Sequence, residues 1–112
     1  MDSKKHKINI TNLLLRLKKE QKKNNLEYID LYDCIFEHDV EHMVEVLREM
    51  GEKKFLISVK QTNVVDIIAM FEKQGFKLIG VVEVTDCYGH YEYDENGNSK
   101  LSTKNAFLME VR

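Results

Sequence analysis

Residues 70–84 read MFEKQGFKLIGVVEV, and this stretch decides how the second half of the chain is built. Val64, Ile67, Ile68 and Phe71 recur at three- and four-residue intervals, the spacing of one helix face. Asn63 is placed to cap that helix, which is expected to run through Gln74. Gly75 stops it, because a residue without a Cβ readily takes the left-handed conformation that ends helices. From Phe76 onward the short apolar run with β-branched residues has the character of a strand entering a sheet.

Upstream, residues 53–60 (KKFLISVK) place Phe55, Leu56, Ile57 and Val59 in a short buried strand. Strand, helix and strand within about thirty residues make a βαβ unit, so the two strands are expected parallel with a right-handed crossover. Downstream lies a tyrosine-rich stretch, CYGHYEYDENGNSK, whose Asn96–Gly97 predicts a type I′ hairpin turn. AFLMEV, residues 106–111, closes the chain as a last strand.

The first half has a helical period. Ile10, Leu13, Leu14 and Leu17 form one apolar stripe, with Thr11 or Asn9 placed to cap the helix and fraying expected at Asn24–Asn25. In LEYIDLYDCIF, residues 26–36, the polar positions Glu27, Asp30, Asp33 and Glu37 are spaced three and four apart, which predicts a second helix. A third follows His38–Asp39, with Val40, Met43, Val44, Leu47 and Met50 inward and Gly51 as its stop. The expected fold is a single α+β domain over residues 1–112: a helical N-terminal part, then a small mixed sheet with one βαβ unit and a C-terminal hairpin.

Composition narrows the function classes. A hydrophobic fraction of 43% and a charged fraction of 32% are those of a globular domain, and no window is apolar enough to span a bilayer, so no membrane partner is expected. The N-terminus has no secretory signal pattern, and Cys34 and Cys87 show no paired spacing, which makes the cytoplasm the default location. Residues 1–25 carry eight basic side chains against two acidic ones, whereas the rest of the chain holds nine basic and seventeen acidic. A basic first helix on an acidic body is drawn to nucleic acid, to an acidic partner or to its own body.

Residues 54–112 resemble the C-terminal half of the GNAT acetyltransferase fold. The resemblance is carried by Met70-Phe71-Glu72-Lys73-Gln74-Gly75-Phe76 and by Asn105-Ala106-Phe107-Leu108-Met109. The departures fall on the chemistry. The family's helix tyrosine often protonates the departing coenzyme A thiolate, and Phe71, at the matching position, has no proton to give. Asn63 stands one residue too early for the family's spacing. The family's glycine-rich pyrophosphate loop has no counterpart, since EHDVEH sets Glu37, Asp39 and Glu41 against any phosphate. The resemblance therefore implies architecture without the usual cofactor binding. Nearly the whole chain, from LLLRLKKEQKKNNLEYIDLYDCIFEHDV through FLISV to FEKQGFKLIGVVEV, also resembles small uncharacterised proteins carried on mobile elements of Gram-positive bacteria. That likeness implies an accessory role and names no catalytic residue.

Two constellations have bland readings. His38–His42 (HDVEH) matches an H-x-x-E-H zinc pattern with Glu41 as base, but the far-downstream glutamates Glu83, Glu92, Glu95 and Glu110 all fall on predicted strands or turns, not on the helix such a third ligand needs. A five-residue pattern of this kind also arises easily by chance in a helix rich in His and Glu, so it reads as an exposed, incidental pair and no metal is expected. Cys87 and His90, three apart on a predicted strand, read as packing and not as a nucleophile pair.

The expected function is non-catalytic protein binding by a mobile-element accessory protein, such as an anti-CRISPR inhibitor of a host defence system. The competing classes are a degenerate or unusual GNAT-like acyltransferase and a nucleic-acid-binding regulator using the basic helix. The partner-binding residues expected are Arg16, Lys19 and Lys23 on that helix, Glu37, Asp39, Glu41 and Glu45 on the acidic segment, and Tyr88, Tyr91 and Tyr93 on the hairpin. The acidic segment could mimic a line of phosphates. No catalytic residue and no cofactor are expected, and a homodimer stays open.

Overall fold

The computed structural model describes residues 3–33, 35–86 and 91–112. In chain order the elements are α1 (Ser3–Lys23), β1 (Ile29–Asp30), a 3₁₀ turn (Glu37–Asp39), α2 (Val40–Glu49), β2 (Lys54–Ser58), α3 (Val64–Lys73), β3 (Phe76–Thr85), β4 (Tyr91–Tyr93), β5 (Ser99–Leu101) and β6 (Thr103–Val111). A four-stranded mixed sheet has the order β1-β2-β6-β3, and β4 and β5 pair as a separate two-stranded hairpin. The expected α+β class holds.

One face of the sheet carries the main core. Ile10, Leu14 and Leu17 of α1, Met43, Val44 and Leu47 of α2, and Ile67, Ile68 and Phe71 of α3 pack with Phe55, Ile57, Phe76 and Met109 from the strands. Strand alternation sends Leu56, Ala106 and Leu108 to the opposite face, where Tyr28, Val82 and Val84 cover them. The stripes expected for α1, α2 and α3 are thus the buried ones.

Several expectations need correction. Residues 26–36 do not form a helix. Ile29 and Asp30 pair in parallel with Phe55 and Leu56, and Tyr32 lies at φ 56°. The charge spacing misled because Asp30 is buried inside the sheet, where Lys104 neutralises it, a partner 74 positions away in the chain. The βαβ unit also lies one step earlier than expected, as β1–α2–β2. β2 and β3 do point the same way, but β6 runs antiparallel between them. β6 wins the central place because Ala106, Leu108 and Met109 are buried on both of its faces, whereas β3 exposes Lys77 and Glu83. Lastly, α1 starts at Ser3, so neither Asn9 nor Thr11 caps it; Thr11 Oγ1 donates to Lys7 O at 2.9 Å inside the helix.

The turns show local chemistry at work. Asn63 stands at the start of α3 with φ 54° and makes no side-chain cap; its amide instead reaches Glu37 Oε1 at 3.4 Å. At Asn96–Gly97 only Gly97 has positive φ, so the turn is not type I′. Asp94 Oδ1 accepts the amides of Asn96 and Asn98 at 2.9 and 2.8 Å, which favours a wider loop closed by Asp94 N to Asn98 O.

Candidate partner-binding site

The basic helix turns part of its charge onto its own body. Lys7 Nζ lies 2.7 Å from Glu45 Oε1 and 2.9 Å from Glu49 Oε1, and Lys18 Nζ lies 2.6 Å from Glu52 Oε1. Hydrogen bonds to Glu45 and then Glu49 push the Lys7 ammonium above its usual range, and the bond from Lys7 holds the Glu45 carboxyl below its own. The Lys7 pairs are exposed, so they orient α1 on α2 more than they stabilise it. Among the described residues, Arg16, Lys19, Lys22 and Lys23 make no such pair and are exposed. Arg16, Lys19 and Lys23, three and four apart, share one helix face.

The acidic segment is split by the fold. Asp39 is buried, and its Oδ1 is hydrogen-bonded by His6 Nε2 from α1 and faced by His38 Nε2 at 3.4 Å. Glu45 is taken up by Lys7, which leaves Glu37 and Glu41 exposed. The four carboxylates therefore do not form one outward line. The His38–His42 pair gains an unexpected neighbour: His6 lies 5.7 Å from the His38 ring and 5.5 Å from the His42 ring, centroid to centroid. This neighbour comes from upstream in the chain, on α1. No local signal marks His6, because its role depends on how α1 docks.

Arg16 also lines a groove of about 740 Å³ at the carboxyl ends of β1 and β2, with Tyr32, Ser58, Lys60, Thr103 and Lys104. Below it Asp30 spends both oxygens: Oδ1 accepts the Tyr32 amide at 2.8 Å, and Oδ2 meets Lys104 Nζ at 2.7 Å. Lys104 also lies 4.2 Å from the Tyr32 ring centroid, a cation–π contact that fixes the ring at the rim. The position matching the acetyltransferase tyrosine is remote from solvent: Phe71 is fully buried, its ring centroid 4.8 Å from Phe55 and 6.0 Å from Phe76.

The third surface is the edge strand. Among the described residues β3 pairs with β6 on one side only, over Phe76–Thr85, and a bulge between Leu78 and Gly80 shifts the register. The bulge brings neighbouring apolar side chains out together: Leu78 is 40% exposed, Ile79 48% and Val81 56%. No sequence reading singled these residues out, since an apolar strand residue looks the same whether or not another element covers it. Of the hairpin tyrosines, Tyr93 is exposed, whereas Tyr88 and the Tyr91 side chain lie outside the described residues, as do Cys87 and His90.

Among the described residues no helix is long and apolar enough to cross a membrane. No curated protein matches the chain. A family model does, over residues 14–111, and the chain accordingly belongs to the family described as Domain of unknown function (DUF7698).

Proposed function

We propose that this protein is a non-catalytic binding module that docks a protein partner along the open edge of β3. The observation that carries this reading is the unpaired edge of a ten-residue strand flanked by exposed Leu78, Ile79 and Val81. Such an edge presents free amide and carbonyl groups, and folded proteins normally blunt it with charge or cover it. Here the central residues are apolar, which favours an added strand held by backbone hydrogen bonds with side chains gripping Ile79 and Val81. The likeness to mobile-element proteins supports an accessory role, with a host defence protein as the partner. An acyltransferase activity is disfavoured by Phe71, whose ring forms part of the aromatic core.

The test is a pull-down from host cells with the native chain and with Ile79→Lys/Val81→Lys. The expected result is a specific protein recovered by the native chain and lost with the variant, whose far-UV circular dichroism is unchanged. Recovery of the same protein by both chains overturns the edge as the site. Recovery of nothing, with the purified protein monomeric, overturns the reading itself.

A second reading rests on the exposed face of Arg16, Lys19 and Lys23, which suits phosphates. If it holds, DNA or RNA binds at low salt, weakens as salt rises, and is lost in Arg16→Glu/Lys19→Glu/Lys23→Glu. Absence of binding at low salt removes it.

A further inference from the structure

We infer that His6, His38 and Asp39 form a binding site for a divalent transition-metal ion, with Zn²⁺ the best-fitting class. The three residues come from two separate parts of the chain: His6 from the first turns of α1, and His38 with Asp39 from the 3₁₀ turn that leads into α2. One ligand atom from each, all within 4.8 Å of one another, gives two imidazole nitrogens and one carboxylate oxygen. Bonds of about 2.1 Å in a tetrahedral set place neighbouring ligand atoms about 3.4 Å apart. His38 Nε2 and Asp39 Oδ1 already stand at 3.4 Å. His6 Nε2 is hydrogen-bonded to the same oxygen, and an ion would replace that bond as the link between them.

The donor set selects the kind of ion. Two imidazoles with one carboxylate suit zinc and its first-row neighbours, whereas magnesium and calcium prefer all-oxygen shells. Exposed Glu37 and Glu41 lie beside the cluster; of the two lysines flanking His6, Lys7 is occupied by Glu45 and Glu49, while Lys5 is exposed. A separate observation points the same way. His42 packs edge-on against the His6 ring, and its Nδ1 is buried without a hydrogen-bond partner among the described residues. His42 lies outside the set of ligand atoms within 4.8 Å of one another, so its place is that of a buttress for the His6 ring. The site would clip the start of α1 to the α2 segment, closing a loop of 33 residues in the folded chain.

The test uses the full chain freed of metal by EDTA and titrated with ZnCl₂ by calorimetry, then with Co²⁺ followed by its visible d–d absorption. One ion per chain is expected, with a rise in melting temperature that Mg²⁺ does not produce. His6→Gln, His38→Gln and Asp39→Asn should each weaken Zn²⁺ binding at least about tenfold, and Glu41→Gln less than about twofold. Because Asp39 variants can lose structure, the native chain gives an independent reading: Zn²⁺ should shift the imidazole NMR signals of His6 and His38. The inference is overturned if Zn²⁺ at millimolar concentration does not bind. It is equally overturned if His6→Gln leaves binding unchanged while His38→Gln and His42→Gln abolish it, since the ion would then sit on the helical pair alone.

Discussion

Lys104 Nζ sits 2.7 Å from Asp30 Oδ2, and the carboxylate is only 3% exposed. This pair ties the shortest strand, β1, to the start of β6 across β2. A buried charge left without its partner is costly, so Lys104→Met is expected to destabilise the protein by about 3 kcal/mol. Asp30→Asn should cost less, because its amide oxygen can still accept the Tyr32 amide. Urea denaturation of both single variants and the double variant checks this. The double variant should cost clearly less than the sum, which marks direct coupling.

Phe71→Tyr restores the side chain that the resembling acetyltransferases often carry. In this chain the hydroxyl would enter a core where Phe71 is fully buried against Phe55 and Phe76. A buried hydroxyl without a partner costs about 1–3 kcal/mol, which a drop in melting temperature reports. Acetyl-coenzyme A in large excess should shift the melting point of neither the native chain nor the variant. A shift in the native chain would revive the acyltransferase reading.

Gln61 joins two loops from a position only 5% exposed. Its Oε1 accepts the Ile35 amide at 3.0 Å, and its Nε2 donates to Ile35 O and Thr62 O, both at 2.8 Å. Gln61→Ala strands those backbone groups and is expected to cost about 2–3 kcal/mol. Gln61→Glu should cost at least as much, because it removes both donors and buries a charge. Chemical denaturation of both variants measures the difference.

Gly75 has φ 98°, and a Cβ added there would lie 2.8 Å from Arg48 Nη2. Arg48 donates to Gln74 O at 2.6 Å and lies over the Phe76 ring, 5.4 Å from its centroid. Gly75→Ala therefore strains the backbone and displaces the guanidinium, at an expected cost of about 1–3 kcal/mol. Arg48→Ala combined with Gly75→Ala should cost less than the two separately, because the steric part disappears.

The stripes of α1, α2 and α3 were legible because periodicity reports which side of an element is buried. Gly51 and Gly75 were legible as stops, and both adopt positive φ. The segment at residues 26–36 was not, because Asp30 looks like a solvent-facing charge until Lys104 arrives from the far end of the chain. Of the candidate site residues, Arg16, Lys19 and Lys23 keep the exposed face their spacing implied. Asp39 is buried with His6 on it, and Glu45, still exposed, is paired with Lys7; both partners come from another helix.

By itself the sequence determined the class of the fold, the faces of its helices, and the places where they stop. All of these follow from local backbone preference and apolar spacing. Only the tertiary structure decided that β6 separates β2 from β3, that Asp30 is neutralised in the sheet, that His6 meets His38 and Asp39, and that Ile79 and Val81 are left uncovered. Each of those depends on which element lies beside which. That choice is made by packing energy between residues distant in the chain, and a local pattern carries no record of its neighbour.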